Sequence, residues 1–277
     1  MVIINTQKIK NAVRDAFREI CTRLDDGVYD RLKKCTSDNA LEKFALDILI
    51  KNADTACATD SPVCQDTGLA VVFLDIGQNV ALSGEYVEDA VNEGVREAYS
   101  TLRKSSVSPL SRINTGDNTP AVIHTRIVEG GQVRISCIAK GFGSENMSRV
   151  YMLTPADGVE GVLNTIVETI KEAGSCPCPP VIVGVGIGGT MEKAAVMSKR
   201  ALLRPLNAPN PVDELDLLEK AAVEKINALG IGAEGFGGKI TALGVFIEAF
   251  PTHIAGLPVA VTVQCHCSRH KTVVIEA

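Results

Sequence analysis

Near the middle of the chain stands Ser175-Cys-Pro-Cys-Pro-Pro-Val-Ile-Val-Gly-Val-Gly-Ile-Gly-Gly189. The paired prolines keep the backbone extended after Cys178, because each ring fixes φ and disfavours helix in the residue before it. The β-branched run at 181–185 then predicts a buried strand, and the glycines that follow predict a tight turn. Thr190 is placed to cap a helix through Met191-Glu-Lys-Ala-Ala. A soft-metal ligand therefore precedes the strand, and a helix N-terminus suited to an anion follows it.

Outward from this unit, apolar periodicity predicts the other elements. Amphipathic helices are expected over 9–24, 41–52, 85–102, 159–170, 190–203 and 213–229. Strand-like runs lie at 69–76, 121–127, 132–139, 181–185, 241–249, 259–264 and 272–275. The runs at 121–127 and 132–139 are predicted to form a hairpin around Glu129-Gly-Gly131. The fold class is therefore α/β, with mixed sheets flanked by helices, and the order of the strands does not follow from these patterns.

Composition narrows the class of protein. The 277 residues are 45% apolar and 22% charged, which is ordinary for a soluble globular enzyme of one large domain or two small ones. A net charge of −5 argues against a nucleic-acid partner. The N-terminus lacks a signal pattern and no apolar run approaches about 18 residues, so we expect a cytoplasmic chain without a membrane segment.

The nine cysteines are too many, and odd in number, for a complete disulfide framework. Buried free cysteine is common, and packing accounts for Cys21 and Cys137, while Cys35 and Cys57 have no suggestive neighbours. The remaining cysteines fall in three separate places: Cys64, the pair Cys176/Cys178 and the pair Cys265/Cys267. Three places make an incomplete set for a four-ligand structural metal site.

Polar and glycine-rich loops supply further candidates. Cys64-Gln-Asp-Thr-Gly68 combines a thiol, an amide and a carboxylate before a strand, either for chemistry or for a turn in which Asp66 bonds its own backbone. The loop Pro109–Pro120 carries Arg112, which suits a carboxylate, although such loops are often only connectors. The segments Lys140–Asn146 and Gly230–Lys239 are two more glycine-rich loops whose N–H groups could receive an anion.

Two familiar sites fit these residues poorly. Gly184, Gly186 and Gly189 satisfy the dinucleotide pattern G-x-G-x-x-G, but Asn207-Ala-Pro-Asn-Pro stands where an acidic residue should hold the ribose. A zinc module built on the Cys265–His270 segment lacks a second pair at ribbon spacing.

An iron–sulfur dehydratase fits better. A cubane cluster held by three thiolates has one iron without a protein ligand, and that iron can act as a Lewis acid toward a hydroxyl and a carboxylate. Cys64, Cys178 and Cys265 provide one thiolate from each of the three places. Asp66 provides a carboxylate for acid–base work beside the first of them.

Several motifs in one order resemble the class I, iron–sulfur fumarases, in the α-type region that they share with L-tartrate dehydratases. They are Val63-Cys-Gln-Asp-Thr-Gly68, Asn114-Thr-Gly-Asp-Asn-Thr-Pro120, Ala139-Lys-Gly-Phe-Gly-Ser-Glu-Asn146, Cys178-Pro-Pro and His253-Ile-Ala-Gly-Leu-Pro258. The resemblance covers nearly the whole chain, so 1–277 is expected to be a single α-type catalytic domain.

The resemblance implies a [4Fe–4S] cluster on Cys64, Cys178 and Cys265, with Asp66 as the proposed acid and His253 as an active-site histidine. The residues assigned to substrate binding are Gln65, Arg112, Asn114, Gly143 and Arg269. Cys176 and Cys267 each stand two residues from an expected ligand, so the choice within each pair stays open. Phe142 interrupts a loop that is often all glycine in the family, which bears on substrate fit near Gly143.

In single-chain members of that family a further domain completes the site and carries the proposed base, whereas this sequence ends at Ala277. The expectation is therefore an α subunit that needs a separate β-type subunit, in a higher-order α/β oligomer. The predicted reaction is reversible hydration of fumarate to L-malate. The alternatives are an L-tartrate dehydratase α subunit, which would give oxaloacetate, and a non-enzymatic iron–sulfur sensor or scaffold.

Overall fold

The computed structural model describes residues 1–276, which fold into two compact units. The first unit comprises residues 1–25, 54–142 and the described residues from 269 onward, and the second comprises 26–53 and 143–268. In chain order the helices and strands are β1 (Val2–Asn5), α1 (Thr6–Thr22), α2 (Asp26–Lys34), α3 (Ala40–Thr59), β2 (Leu69–Gly77), β3 (Val80–Ser83), α4 (Val87–Ala98), β4 (Val122–Val128), β5 (Val133–Lys140), α5 (Phe142–Glu145), β6 (Arg149–Leu153), α6 (Gly158–Ala173), β7 (Val181–Gly188), α7 (Met191–Ala201), α8 (Asp213–Asn227), β8 (Ala242–Phe250), β9 (Leu257–Gln264) and β10 (His270–Ile275). The predicted mixed α/β class is confirmed.

The first unit is built on a four-stranded sheet in the order β10-β5-β2-β4. Strand β2 lies at its centre because the run that begins at Leu69 is apolar and almost wholly buried. Helix α1 places Ile9, Val13 and Phe17 in the core at helical spacing, and α4 packs alongside it. Short parallel strands β1 and β3, which the sequence patterns did not reveal, form a separate pair.

The predicted hairpin of β4 and β5 is wrong. Both strands exist, but β2 lies between them, parallel to β4 and antiparallel to β5. The N–H of Gly77 at the end of β2 donates to the carbonyl of Gln132 at 2.9 Å, and that of Gln78 donates to Val128 at 2.8 Å. The most apolar strand thus takes the central position, and the largely exposed β4 forms an edge.

The second unit contains a four-stranded sheet in the order β6-β9-β7-β8. Val181, Val183 and Val185 of β7 enter a core that they share with α6 and α8. Gly184 and Gly186, at alternate positions of β7, face α7, since side chains alternate along a strand. A Cβ on Gly184 would lie 2.0 Å from the carbonyl oxygen of Ser198 in α7. The sheet is therefore covered by helices on both faces.

The glycine spacing that imitates a dinucleotide motif has a packing explanation in this unit. A Cβ on Gly186 would lie 2.1 Å from the Ala194 carbonyl oxygen, so glycine allows α7 to approach the sheet closely. Thr190 occupies the N-cap of α7 with extended backbone, as predicted, but its hydroxyl bonds the Glu192 carboxylate instead of the helix backbone.

Within residues 1–276, no helix has both the length and the apolar character needed to cross a membrane.

Candidate active site

The turn before β2 brings a thiol and a carboxylate together in the first unit. The half-buried Cys64 Sγ accepts the backbone N–H of Asp66 at 3.4 Å, and the Oε1 of the exposed Gln65 lies 3.6 Å from the same sulfur. A backbone N–H donated to sulfur is one of the contacts that tune sulfur ligands in metal sites.

Asp66 is oriented by two backbone donors. Its Oδ1 accepts the N–H of Gly68 at 2.9 Å, which is the self-bonded turn that the sequence offered as an alternative. Its Oδ2 accepts the N–H of Phe142 at 2.8 Å, from the glycine-rich loop that follows β5. Each carboxylate oxygen has a second lone pair, so the turn fixes the group without exhausting its capacity to take a proton.

Two buried side chains donate hydrogen bonds to the backbone carbonyls of the Cys64–Gly68 turn. The guanidinium of Arg269, 1% exposed, donates to the carbonyl of Asp66, and the Tyr99 hydroxyl donates to that of Thr67 at 2.9 Å. Burial raises the pKa of Tyr99 well above its usual value, so the phenol remains a neutral donor. Arg269 was predicted to bind substrate, and in this structure that guanidinium bonds the turn. Tyr99 was missed because it ends an ordinary amphipathic helix.

The loop between α4 and β4 is shaped largely by its own amides. Asn114, a predicted substrate contact, donates to the Lys104 carbonyl at 3.0 Å and accepts the Gly116 N–H at 2.7 Å. Asn118 is fully buried and donates to the carbonyl of Gly68 at 3.2 Å, which ties the loop to the Asp66 turn. Arg112 is exposed, with a left-handed backbone (φ 60°). Substrate contact by Arg112 or Asn114 stays a prediction.

The other cysteines of the proposed set lie in the second unit. Cys178 is exposed and left-handed (φ 53°), a conformation that costs a non-glycine residue about 1–3 kcal/mol and persists when its surroundings impose it. Cys265 is half-buried, whereas Cys267 is 5% exposed, so Cys265 is the more accessible thiol of that pair. Cys176 is exposed like Cys178, and exposure does not separate those two.

Gly143, also in the second unit, is exposed and lies beside the Cys176 backbone, since a Cβ on it would be 3.5 Å from that carbonyl oxygen. His253 is exposed in the loop before β9. Its Nδ1 accepts the N–H of Ala255 at 3.2 Å, so the neutral ring carries its proton on Nε2.

His266, considered above only as part of a zinc module on the Cys265–His270 segment, joins the two cysteine segments of this unit. Nδ1 of His266 lies 3.1 Å from the Cys178 carbonyl oxygen and 3.2 Å from Glu234 Oε1. Burial lowers the pKa of His266, but the Glu234 carboxylate, Cys265 and the Cys178 carbonyl together raise it above its usual value. Its position between Cys265 and Cys267 is a pattern in the sequence that could have identified this histidine as part of the site.

The glycine-rich loop 230–240 surrounds a carboxylate from elsewhere in the same unit. Glu42 of α3, fully buried, accepts the N–H groups of Ala233, Lys239 and Ile240 at 3.3, 3.1 and 2.7 Å. A Cβ on Gly238 would lie 2.2 Å from this carboxylate. This glycine-rich loop therefore holds an anion that belongs to the chain itself.

The three predicted cluster ligands are thus divided, with Cys64 in the first unit and Cys178 and Cys265 in the second. All three are at least partly exposed, unlike Cys21 and Cys137, which are fully buried. The donor set fits an iron–sulfur group: accessible thiols on loops, one of them accepting a backbone N–H. Over residues 1–276, no three His, Cys, Asp or Glu side chains form a group that could hold a metal ion as placed.

Comparison with known proteins identifies the family. Residues 10–274 match the family described as Fumarate hydratase (Fumerase), so the chain belongs to that family, as its motifs predicted. It is 43% identical over 274 residues to a Methanocaldococcus jannaschii protein provisionally named L(+)-tartrate dehydratase subunit alpha, and 95% of each chain is covered. It is 33% identical over 278 residues to the L(+)-tartrate dehydratase subunit alpha of Escherichia coli K12, over 98% of this chain and 91% of that protein. The chain is therefore a member of a hydro-lyase family that includes fumarate hydratases and tartrate dehydratases.

Proposed function

We propose that this chain is the cytoplasmic α subunit of an iron–sulfur hydro-lyase that removes water from a small hydroxy-dicarboxylate. The observation that carries the proposal is the Cys64–Asp66 turn, in which a thiol that accepts an N–H adjoins a carboxylate oriented by two backbone donors. This arrangement supplies a metal ligand and a proton-transfer group in one rigid segment.

L(+)-tartrate is the first substrate to test. The relatives compared above carry the name L(+)-tartrate dehydratase subunit alpha, at 43% and 33% identity over almost the whole chain. These names favour the tartrate alternative over the fumarate reaction that the motifs led us to predict. Fumarate and L-malate are the second pair, because the family as a whole is described as fumarate hydratase.

The residues proposed to hold a [4Fe–4S] cluster are Cys64, Cys178 and Cys265. When bound through three thiolates, such a cluster supplies an iron with an open position that polarises a substrate hydroxyl and carboxylate. The protein must then bind the remaining carboxylate and transfer the protons.

Asp66 is the proposed proton-transfer group. Dehydration takes a hydroxyl from one carbon and a proton from its neighbour, and a positioned acid gives the departing hydroxyl the proton it needs to leave as water. The Gly68 and Phe142 N–H groups hold the Asp66 carboxylate in one orientation, which such a transfer requires. His253 is the second proposed catalytic residue, and the proposed substrate contacts are those of Gln65, Arg112, Asn114, Gly143 and Arg269.

A β-type subunit is proposed to complete the site, in a higher-order α/β oligomer. The relatives are named as alpha subunits, which supports a heteromeric enzyme. The α chain alone should therefore turn over little or no substrate. Addition of the β-type subunit, which is proposed to carry the catalytic base, should restore activity.

The test is anaerobic iron–sulfur reconstitution of the α chain with its β-type partner, followed by a panel of L-tartrate, D-tartrate, L-malate and fumarate. Asp66→Asn should lower kcat by about 10²–10⁴-fold while the cluster chromophore is kept. Asp89→Asn, on the exposed surface of α4, is the matched control and should leave kcat unchanged.

Cysteine variants test the cluster. Cys64→Ser, Cys178→Ser and Cys265→Ser should each lose the brown chromophore, whereas the exposed Cys57→Ser should retain it. A full cluster in Cys178→Ser together with its loss in Cys176→Ser would move the ligand within that pair. A complete cluster without turnover of any hydroxy acid would contradict the enzyme and favour the sensor or scaffold alternative. High activity from the α chain alone would contradict the need for a partner.

A further inference from the structure

One nitrogen of His266 faces two acceptors. The Cys178 carbonyl oxygen lies 3.1 Å from Nδ1 in a hydrogen bond, and Glu234 Oε1 lies 3.2 Å from the same nitrogen as an ion-pair contact. A carbonyl oxygen can only accept, so the proton of this hydrogen bond must be on Nδ1, and the Glu234 carboxylate lies beside the same N–H. The ring is 13% exposed, so bulk water does not compete freely for that nitrogen.

This contact connects two predicted ligand segments. His266 is the residue after Cys265, and its Nδ1 reaches the backbone of Cys178, 88 residues earlier. A second bond runs in parallel, from the Glu234 N–H to the Pro179 carbonyl at 2.7 Å. Cys178 is left-handed, a conformation that needs support from its neighbours, and these two bonds hold its own carbonyl and that of the next residue, Pro179.

Glu234 is itself held in a rigid setting. It stands in the loop 230–240, also with left-handed backbone (φ 52°), and Glu42 binds the N–H of the preceding residue, Ala233, at 3.3 Å. Asn39 donates to the Gly237 carbonyl of the same loop at 3.1 Å. The loop thus presents Glu234 to His266 at a fixed position.

We propose that Glu234 and His266 are positioning residues that hold Cys178 and Cys265 in the geometry an iron–sulfur group requires. The inference rests on the cluster proposed above, and it adds two residues that the motif comparison did not select. Glu234 fixes the His266 ring, and His266 joins one ligand segment to the other. Partners of this kind, beyond the ligands themselves, are typically worth about 10–100-fold in metal affinity.

Cluster release tests the pair. In the reconstituted α/β complex, His266→Ala should lose iron to a chelator about 10–100-fold faster than the wild type. His266→Asn should recover most of the loss, because the asparagine Nδ2 can donate from nearly the same place as Nδ1. Glu234→Gln keeps an acceptor and should be affected less than Glu234→Ala. A shift of the cluster's electron paramagnetic resonance signal in His266→Ala would report altered ligand geometry directly.

Two matched controls separate positioning from general destabilisation. His124→Ala removes a ring that stacks on Phe73 in the first unit, and Glu219→Gln weakens a buried ion pair with Arg204 in the second. Both should lower stability while iron release stays within about twofold of the wild type.

Nitrogen-15 NMR of the wild-type α chain without metal tests the His266 tautomer independently of the cluster. The sequence has four histidines, so nitrogen-15 labelling of histidine gives few signals, and His266→Asn identifies the one that matters. In the neutral ring we expect the proton on Nδ1, because that nitrogen lies 3.1 Å from the Cys178 carbonyl oxygen, which can only accept. A neutral ring protonated on Nε2 would refute the pair even if the alanine variant failed to fold.

Failure of the proposed function and failure of the positioning role give different results. A wild-type complex that binds no iron would refute the proposed function and, with it, this role. A wild-type complex with a full cluster, alongside His266→Ala that releases iron at the wild-type rate, would refute the positioning role and leave the proposed function intact.

Discussion

Replacement of Glu42 by alanine should destabilise the second unit more than an ordinary surface change would. The carboxylate accepts three backbone N–H groups and the Ser37 hydroxyl at 2.5 Å, in a fully buried position. A hydrogen bond to a charged group contributes about 1.5–3 kcal/mol, and a buried donor left unpaired costs about 1–3 kcal/mol. Water that enters the vacated space recovers part of this, so we expect a loss of about 3–5 kcal/mol.

Urea unfolding of the metal-free α chain, followed by circular dichroism, measures this loss. Glu42→Gln keeps the shape of the side chain but removes the charge and one acceptor, so about half the effect should remain. Glu168→Ala on α6 is the control, because that carboxylate is 55% exposed and pairs with a surface lysine, and its effect should stay below about 0.5 kcal/mol. A Glu42→Ala variant within about 0.5 kcal/mol of the wild type would refute the reasoning.

The effect of Glu42 should also depend on pH. Burial raises the pKa of this carboxyl. The hydrogen bonds from the Ser37 hydroxyl and from the backbone N–H groups of Ile240, Lys239 and Ala233 lower the pKa by more than burial raises it, so the folded pKa lies below the usual value. A depressed pKa means that the stabilisation is complete above the unfolded value of about 4.3 and is lost as the pH falls through the folded one. The difference between the wild type and Glu42→Gln should therefore shrink below about pH 4.

Three further outcomes are expected. Gly186→Ala should cost about 1–3 kcal/mol in urea, because its Cβ would lie 2.1 Å from a carbonyl oxygen of α7, whereas Gly256→Ala, with nothing within 4 Å, should be nearly neutral. Burial raises the pKa of Asp117, but bonds from Thr119 and Arg96 bring it down to about 2, so the stability lost in Asp117→Asn at neutral pH should disappear progressively from about pH 5 to pH 2. Burial raises the pKa of the Cys137 thiol to about 12, so iodoacetamide at pH 8 should spare it in the folded chain while it labels the exposed Cys57, and equal labelling of both would contradict this.

Local patterns predicted the elements that carry strong periodicity. Helix α1 and the β7–α7 unit lie where their apolar residues indicated, since burial of one stripe or one run determines both. Short elements such as β6 and α2 gave too few residues for a period to show. The pairing of β4 and β5 was mispredicted because a local alternation cannot reveal that a third strand, distant in sequence, occupies the place between them.

The candidate ligand and acid–base residues of the site could be predicted from their residue types. The residues that hold them in place through hydrogen bonds could not. The Cys64–Asp66 turn stood out as a thiol beside a carboxylate. Its anchors, Tyr99 and Asn118, are 32 and 50 residues away from the backbone groups that they bond, and nothing in the local sequence marks such contacts. Glu42 did leave a signal, because it heads the buried stripe of α3 that continues with Ala45, Leu46 and Leu49. A charge on an apolar helical face indicates an internal partner.

Glycine-rich segments can bind a carboxylate of the chain itself as readily as a bound anion. All three were predicted to offer backbone N–H groups to a ligand, yet the loop 230–240 gives its N–H groups to Glu42, and the loop after β5 gives one to Asp66. Glycines permit such close approach whether the anion is foreign or internal, so composition alone cannot distinguish the two. At Asp66 the internal anion and the chemistry coincide. A carboxylate that two backbone donors already orient can exchange a proton without first being reorganised, which is the physical reason to assign the proton transfer to that residue.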